Sequence, residues 1–237
     1  MLVFRLNMAA SPREKVEMDD CRLCAEIQGG GQTKIWNRPL FESENFLVLP
    51  SLGALVEGWL LLLPKTHHVC VGAMTDDLMR EMYSIKGTVG SLLEKRYGSI
   101  TIFEHGPSRE GTSVGCGVDH AHLHFTPLSF DLARAVAPFL PNGADWVTAQ
   151  QEDCRDAFLH GQDYLYLEQP VGKGRLLTAS GIGSQLFRRA IAMHLGSPNE
   201  FNWRDHPQLH IVMATITSMS TPADTACPRP NRLRPAA

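Results

Sequence analysis

The chain carries no surplus of charge: in 237 residues, 22 Lys and Arg stand against 25 Asp and Glu, a formal net charge of −3 at pH 7. Nothing in the overall charge therefore draws it to nucleic acid or to an anionic membrane surface, and neither is expected as a partner. Long apolar runs are also missing. The longest candidate, Trp59 to Pro64, has the length of a strand, far from the roughly 18 residues a membrane span needs. There is no internal repeat. The opening Met1 to Met8 is apolar but short and lacks a small-residue cleavage site, so no signal peptide is expected. Cysteine is scarce, 6 in all, and only Cys21 and Cys24 form a motif. Without an export signal a disulfide framework is not expected, and the protein is expected to be cytoplasmic.

What is present is an ordinary globular composition, 43% hydrophobic and 20% charged. One domain with a C-terminal extension is expected: a core over 19–128 and an extension over 129–217. Weak periodicity makes 1–18 a disordered arm. The polar stretch holding Pro222, Pro228, Pro230 and Pro235 makes 218–237 a disordered tail. Leu40 to Leu49 reads as two short strands around a turn at 43–45, and Trp59 to Leu63 as a strand closed by Pro64. Thr75 caps a predicted helix from Asp76 to about Tyr97, whose apolar residues Leu78, Met82, Ile85 and Val89 fall near helical spacing. Ile100 to Glu104 and Tyr164 to Glu168 are predicted strands, and His210 to Ile216 a last one. Helices are predicted near Phe130 to Leu140, over Ala144 to Gly161, and over Gln185 to Leu195 with Ser184 as cap.

The chemistry lies in His120-Ala-His122-Leu-His124-Phe125, where histidine and apolar residues alternate as in a strand. Side chains of a strand alternate between faces, so the three imidazoles share one face, successive ones roughly 6.6 Å apart. Ala121, Leu123 and Phe125 then face a core. Three imidazoles are poor core residues, since each needs hydrogen-bond partners. Such a face suits either a zinc site or phosphorus transfer through a nucleophilic imidazole. Cys21-x-x-Cys24 reads as a metal pair, a redox pair or two buried thiols.

The run His120 to Thr126, HAHLHFT, resembles the H-φ-H-φ-H-φ-φ pattern of the histidine-triad (HIT) superfamily. Flanking pieces agree in order and spacing: the Cys21-x-x-Cys24 opening, the strand FLVLP, EGWLLLLPKTHH from Glu57 to His68, ITIFEHG from Ile100 to Gly106, and Gly115-Cys116-Gly117-Val118. The match covers about residues 21–128. It implies an α+β, HIT-like fold, with a mostly antiparallel sheet of about five strands, packed helices and the C-terminal extension. It also implies a nucleotidyl hydrolase or nucleotidyltransferase acting on a nucleotide or other phosphorylated small molecule. In that family the middle histidine, here His122, attacks an α-phosphorus and carries the nucleotidyl group, and His124 assists. A structural zinc is implied on Cys21, Cys24, His67 and His120, with His68 the rival for His67. A homodimer is implied as well.

Several positions depart from the family pattern. Ser51 stands where an aspartate usually binds ribose, Trp59 where a histidine stands, Cys116 for a glutamine and Gly117 for a serine. Ser51, Cys116 and Gly117 are candidate substrate contacts, together with His105 beside Glu104 and, from the extension, Gln185 and Arg188. The stretch Tyr164–Glu168, Ser184–Arg189 and Asn202-Trp203-Arg204 resembles longer bacterial members. Two other readings compete: a metal-dependent hydrolase using H-x-H-x-H as catalytic ligands, and a nucleotide-binding protein with little turnover. The first lacks carboxylates at motif spacing. The intact His122 and His124 weigh against the second, and the altered Ser51, Cys116 and Gly117 weigh for it.

Overall fold

The structure is a computed structural model that describes residues 21–28, 34–115 and 118–220. The arm expected over 1–18 and the tail beyond Ser220 lie outside the described residues, as do Cys116 and Gly117.

The fold is α+β. The described strands are β1 (Phe41–Glu42), β2 (Phe46–Pro50), β3 (Leu60–Pro64), β4 (Ile100–Gly106), β5 (Leu123–Pro127), β6 (Val147–Thr148), β7 (Tyr164–Glu168) and β8 (Gly174–Thr178). They form one sheet in the order β1-β2-β3-β5-β4-β7-β8-β6, every neighbouring pair antiparallel. Five of them belong to the core expected from the sequence. The extension adds β7, β8 and β6 beside β4, so the sheet is larger than the five strands anticipated. The helices are α1 (Arg22–Gln28), α2 (Asp76–Tyr97), α3 (Leu132–Val136), α4 (Asp153–Leu159), α5 (Leu186–His194) and α6 (Leu209–Ser220).

Alternation along the strands decides what each face meets. Phe46, Val48, Leu60, Leu62, Ile100, Ile102, Leu123 and Phe125 face α2, where Met79, Met82, Ile85, Val89 and Leu93 are buried against them. Each such side chain contributes roughly 1.5–3 kcal/mol when fully buried. Helix α2 starts where predicted: the Thr75 side chain accepts from the Leu78 amide at 3.4 Å, and Asp76 and Asp77 sit in its first turn. The opposite face is divided. Leu47, Leu49 and Leu63 pack under Leu23 of α1. Phe103, Leu165, Leu167 and Leu177 pack with Trp59, with Leu132 and Val136 of α3, and with Leu186, Phe187, Ala190 and Ile191 of α5.

Four expectations are corrected. Strand β5 begins at Leu123, not at His120. His210 to Ile216 is not a strand but part of α6, which buries Val212 and Thr215 and runs through Ser220 into the stretch expected as tail. The predicted helix over Ala144 to Gly161 is confined to α4, with β6 before it. Ser184 does not cap α5: its hydroxyl donates to the Gly115 carbonyl at 2.7 Å. The N-cap is Gln185, in the left-handed region at φ 56°.

Candidate active site

The triad segment approaches the sheet irregularly, and the irregularity shapes the site. The Ala121 amide donates to the His68 carbonyl at 2.6 Å, outside the sheet ladder. Pairing begins at Leu123 with β3 and at His124 with β4, and places His124 between Leu61 and Phe103. Before that point the His122 ring folds back on its own chain, its Nδ1 2.6 Å from the His120 carbonyl oxygen. A carbonyl only accepts, so Nδ1 carries the proton. Nε2 of the neutral ring is left with its lone pair.

His122 and His124 line one cleft, their ring centroids 4.8 Å apart. His122 is 8% exposed. Burial lowers its pKa below the ordinary histidine value; the bond to His120 works against this and the Arg188 charge adds to it. Burial, then the His122, His105 and Arg188 charges, holds His124 well below that value. Both rings are therefore neutral at pH 7. Phe103 stacks on His124 at 4.5 Å and 16°, and the Trp59 indole Nε1–H donates to His124 Nδ1 at 2.9 Å.

Arg188 reaches this cleft from α5. It is 1% exposed, donates through Nε to the Phe201 carbonyl at 2.9 Å and through a terminal nitrogen to the Gly53 carbonyl, and lies 4.8 Å over the Trp59 ring. Gly53 has φ +72°, and a Cβ there would fall 2.5 Å from the Trp203 Cβ, so the loop after Ser51 requires glycine. Ser51 is buried in the cleft wall.

The other sequence candidates sit elsewhere. His105 is buried behind the triad, its Nε2 accepting from the Phe187 amide at 3.3 Å, and it does not line the cleft. Burial pulls its pKa down to about 3. Gln185 also lies off the cleft and donates to Asn202 at 3.3 Å. Sequence reasoning missed part of the wall. Trp36, Asn37, Arg22, Leu23 and Glu26 line the cleft with Trp203, and Arg22 and Arg204 stack on Trp203 at 4.6 and 4.2 Å. Trp203 had a signal in the Asn202-Trp203-Arg204 run; Trp36 had none, being an isolated aromatic outside any motif.

His120 turns away from the cleft toward α1. Its Nδ1 lies 3.5 Å from the Cys21 and Cys24 Sγ atoms, and the His67 Nδ1 lies 3.3 Å from the Cys24 Sγ. All four ligand atoms fall within 4.8 Å of one another. Tetrahedral zinc with Zn–S near 2.3 Å and Zn–N near 2.0–2.1 Å would set its sulfur and nitrogen ligands about 3.5 Å apart, so the donor set fits. The outer nitrogens agree: His120 Nε2 meets the Pro64 carbonyl at 2.8 Å and His67 Nε2 meets Glu110 at 3.1 Å, leaving both Nδ1 lone pairs turned inward. Burial and the neighbouring Cys21 push the Cys24 thiol up to about 12, which a bound cation would reverse. His68 is not part of this cluster.

No family model matches the chain. A curated relative described as "Protein hit", from Bacillus subtilis (strain 168), is 24% identical over 109 residues, spanning 46% of this chain and 71% of that protein. Among solved structures, a HIT family protein from Bacillus anthracis aligns at 21% identity and a TM-score of 0.39, over 48% of this chain and 76% of its own. A zinc-bound histidine triad family protein from Mycobacterium smegmatis aligns at 21% identity and a TM-score of 0.36, over 60% of this chain and 95% of its own. The chain resembles histidine-triad proteins, and part of it falls outside each alignment. No helix among the described residues is long and apolar enough to cross a membrane.

Proposed function

We propose that this protein is a nucleotidyl hydrolase or nucleotidyltransferase of histidine-triad type, working through a covalent intermediate on His122. The observation that carries this reading is the bond from His122 Nδ1–H to the His120 carbonyl, 2.6 Å long, which leaves a neutral, lone-pair-bearing Nε2 in a cleft shared with His124 and Arg188. In the first step Nε2 attacks the α-phosphorus; an N–P bond forms and the bond to the leaving group breaks. In the second, water or another acceptor attacks the same phosphorus and the imidazole leaves. One difficult displacement becomes two easier ones. His124 contacts the phosphoryl or bridging oxygen and Arg188 the anionic oxygens. Ser51 and the aromatic wall receive the rest of the ligand. His105 and Gln185 support the wall from behind.

Cys21, Cys24, His67 and His120 would hold a zinc ion, which when bound supplies a structural tie and no chemistry in the cleft. Four protein ligands close a tetrahedral site, whereas a catalytic zinc keeps a position open. That closure, with His122 and His124 engaged elsewhere, disfavours the metal-hydrolase reading.

The test is a panel of nucleoside phosphoramidates, dinucleotides and nucleotide sugars, with low-temperature trapping and mass spectrometry. A nucleotidyl mass on the His122 peptide is expected. His122→Ala abolishes turnover with the fold intact, and His124→Ala slows it by roughly 10²–10⁴. Full activity in His122→Ala ends the proposal; tight nucleotide binding without turnover establishes the binding-protein alternative.

A further inference from the structure

Trp59 occupies a place where its chemistry is restrictive. It is fully buried, and its indole N–H can donate but never accept. Facing that N–H at 2.9 Å is His124 Nδ1, which must therefore present a lone pair. The proton of the neutral ring is then on Nε2. We infer that Trp59 is a positioning residue that fixes His124 as an Nε2–H donor, so the two cleft imidazoles are held in opposite tautomers. His122 is protonated at Nδ1 and bare at Nε2; His124 is the reverse.

The surroundings hold both partners of this bond. Phe103 lies flat against the His124 ring and meets the Trp59 ring edge-on at 5.9 Å. The Arg188 guanidinium covers a face of Trp59 at 4.8 Å. A second proton on His124 would bring an N–H against the Trp59 N–H. The charged and titratable groups facing it, His122 from the segment before β5, His105 from β4 and Arg188 from α5, further oppose a cation.

The inference rests on the proposed phosphorus chemistry for its consequence. A neutral imidazole that keeps its Nε2 proton polarises an oxygen by hydrogen bonding instead of surrendering a proton, a role in which neutral histidine is an effective electrophile. In the first step the N–P bond forms, the P–O bond breaks, and the leaving group departs as an oxyanion that accepts a hydrogen bond from His124 Nε2–H. The site then suits leaving groups of low basicity, such as phosphate or phenolate oxygens.

The experiment is heteronuclear NMR of the full-length protein with ¹⁵N-labelled histidine and tryptophan. A bare Nδ1 and protonated Nε2 on His124, with a scalar coupling between Trp59 Nε1 and His124 Nδ1, are expected. A protonated Nδ1 on His124 overturns the inference even if a His122 adduct is found, and the spectrum decides whether or not any nucleotide is turned over. On a nucleoside 5′-monophosphate p-nitrophenyl ester, Trp59→Phe with unchanged circular dichroism should lower kcat about tenfold and leave KM within about twofold. An unchanged kcat removes the positioning role.

Discussion

The protonation of Glu104 bears directly on stability. Its carboxyl is buried in β4, where it accepts from the Val71 amide at 2.7 Å and the Tyr164 hydroxyl at 2.8 Å. Burial raises its pKa to about 7 in spite of both bonds. A carboxyl whose folded pKa lies above its unfolded one keeps its proton longer in the folded state. Its contribution is therefore most favourable in acid and is lost as pH rises from about 4.5 to about 7, by about 3 kcal/mol. His105 acts in the opposite sense: held neutral down to about 3, it removes stability as pH falls below 6.5. Comparing wild type with Glu104→Gln isolates the carboxyl. Urea unfolding at pH 5 and pH 8 should show the variant gaining on wild type at the higher pH; a pH-independent difference would refute the assignment. At this scale the sequence was informative about identity and silent about state. His120, His122 and His124 announce themselves by spacing. That one faces sulfur, one its own backbone and one an indole follows from a strand that starts late, which no periodicity records.

Among the elements, α1 depends most on outside help. Seven residues are too few for a helix to persist alone, and α1 buries only Leu23 and Cys24. Its other anchorage is the cluster joining Cys21 and Cys24 to His67 beyond β3 and His120 before β5. With zinc bound as proposed, about one ion per chain is expected by elemental analysis. Cys24→Ala or His120→Ala should then release it and lower the melting temperature, with amide exchange accelerating first over 21–28. Because Arg22, Leu23 and Glu26 line the cleft, KM should rise before the fold is lost. Zinc-free protein that keeps slow exchange in α1 would refute the tie. Element types were legible where pattern and capping agreed, as in α2, or where a short apolar run met a proline, as in β2 and β3. They were misread in α6. Its β-branched residues suggested a strand, but Val212, Thr215 and Met219 face the interior at helical intervals, and the Thr215 hydroxyl accepts from the Gly58 amide at 3.0 Å. Strands β6 and β8 were not anticipated, since β8 is held by β7 and β6 by β8 and neither by its own composition.

For the whole molecule, the decisive feature is that β4 is paired on both sides, with β5 and with β7. The free edges of the sheet are β1 and β6, each two residues long and exposed. Short edges offer few unsatisfied backbone groups to a second sheet. The homodimer implied by the family resemblance would have to form through some other surface, and a mass near 26 kDa by light scattering is expected; a stable dimer would show that the faces associate instead of the edges. The extension was legible as an addition but not as a completion of the same sheet, because long-range strand pairing leaves no local mark. Its helix α5 also delivers Arg188 over Trp59, and its Asn202–Arg204 turn delivers Trp203, while Trp36 closes the same wall from the core. Two of the chain's 4 tryptophans, Trp36 and Trp203, thus border the cleft, and a third, Trp59, lies directly behind it, bonded to the His124 imidazole of the cleft wall. Ultraviolet emission from the unlabelled protein is for that reason weighted toward the place where a ligand would arrive, and a titration can be followed in a cuvette before any substrate is known.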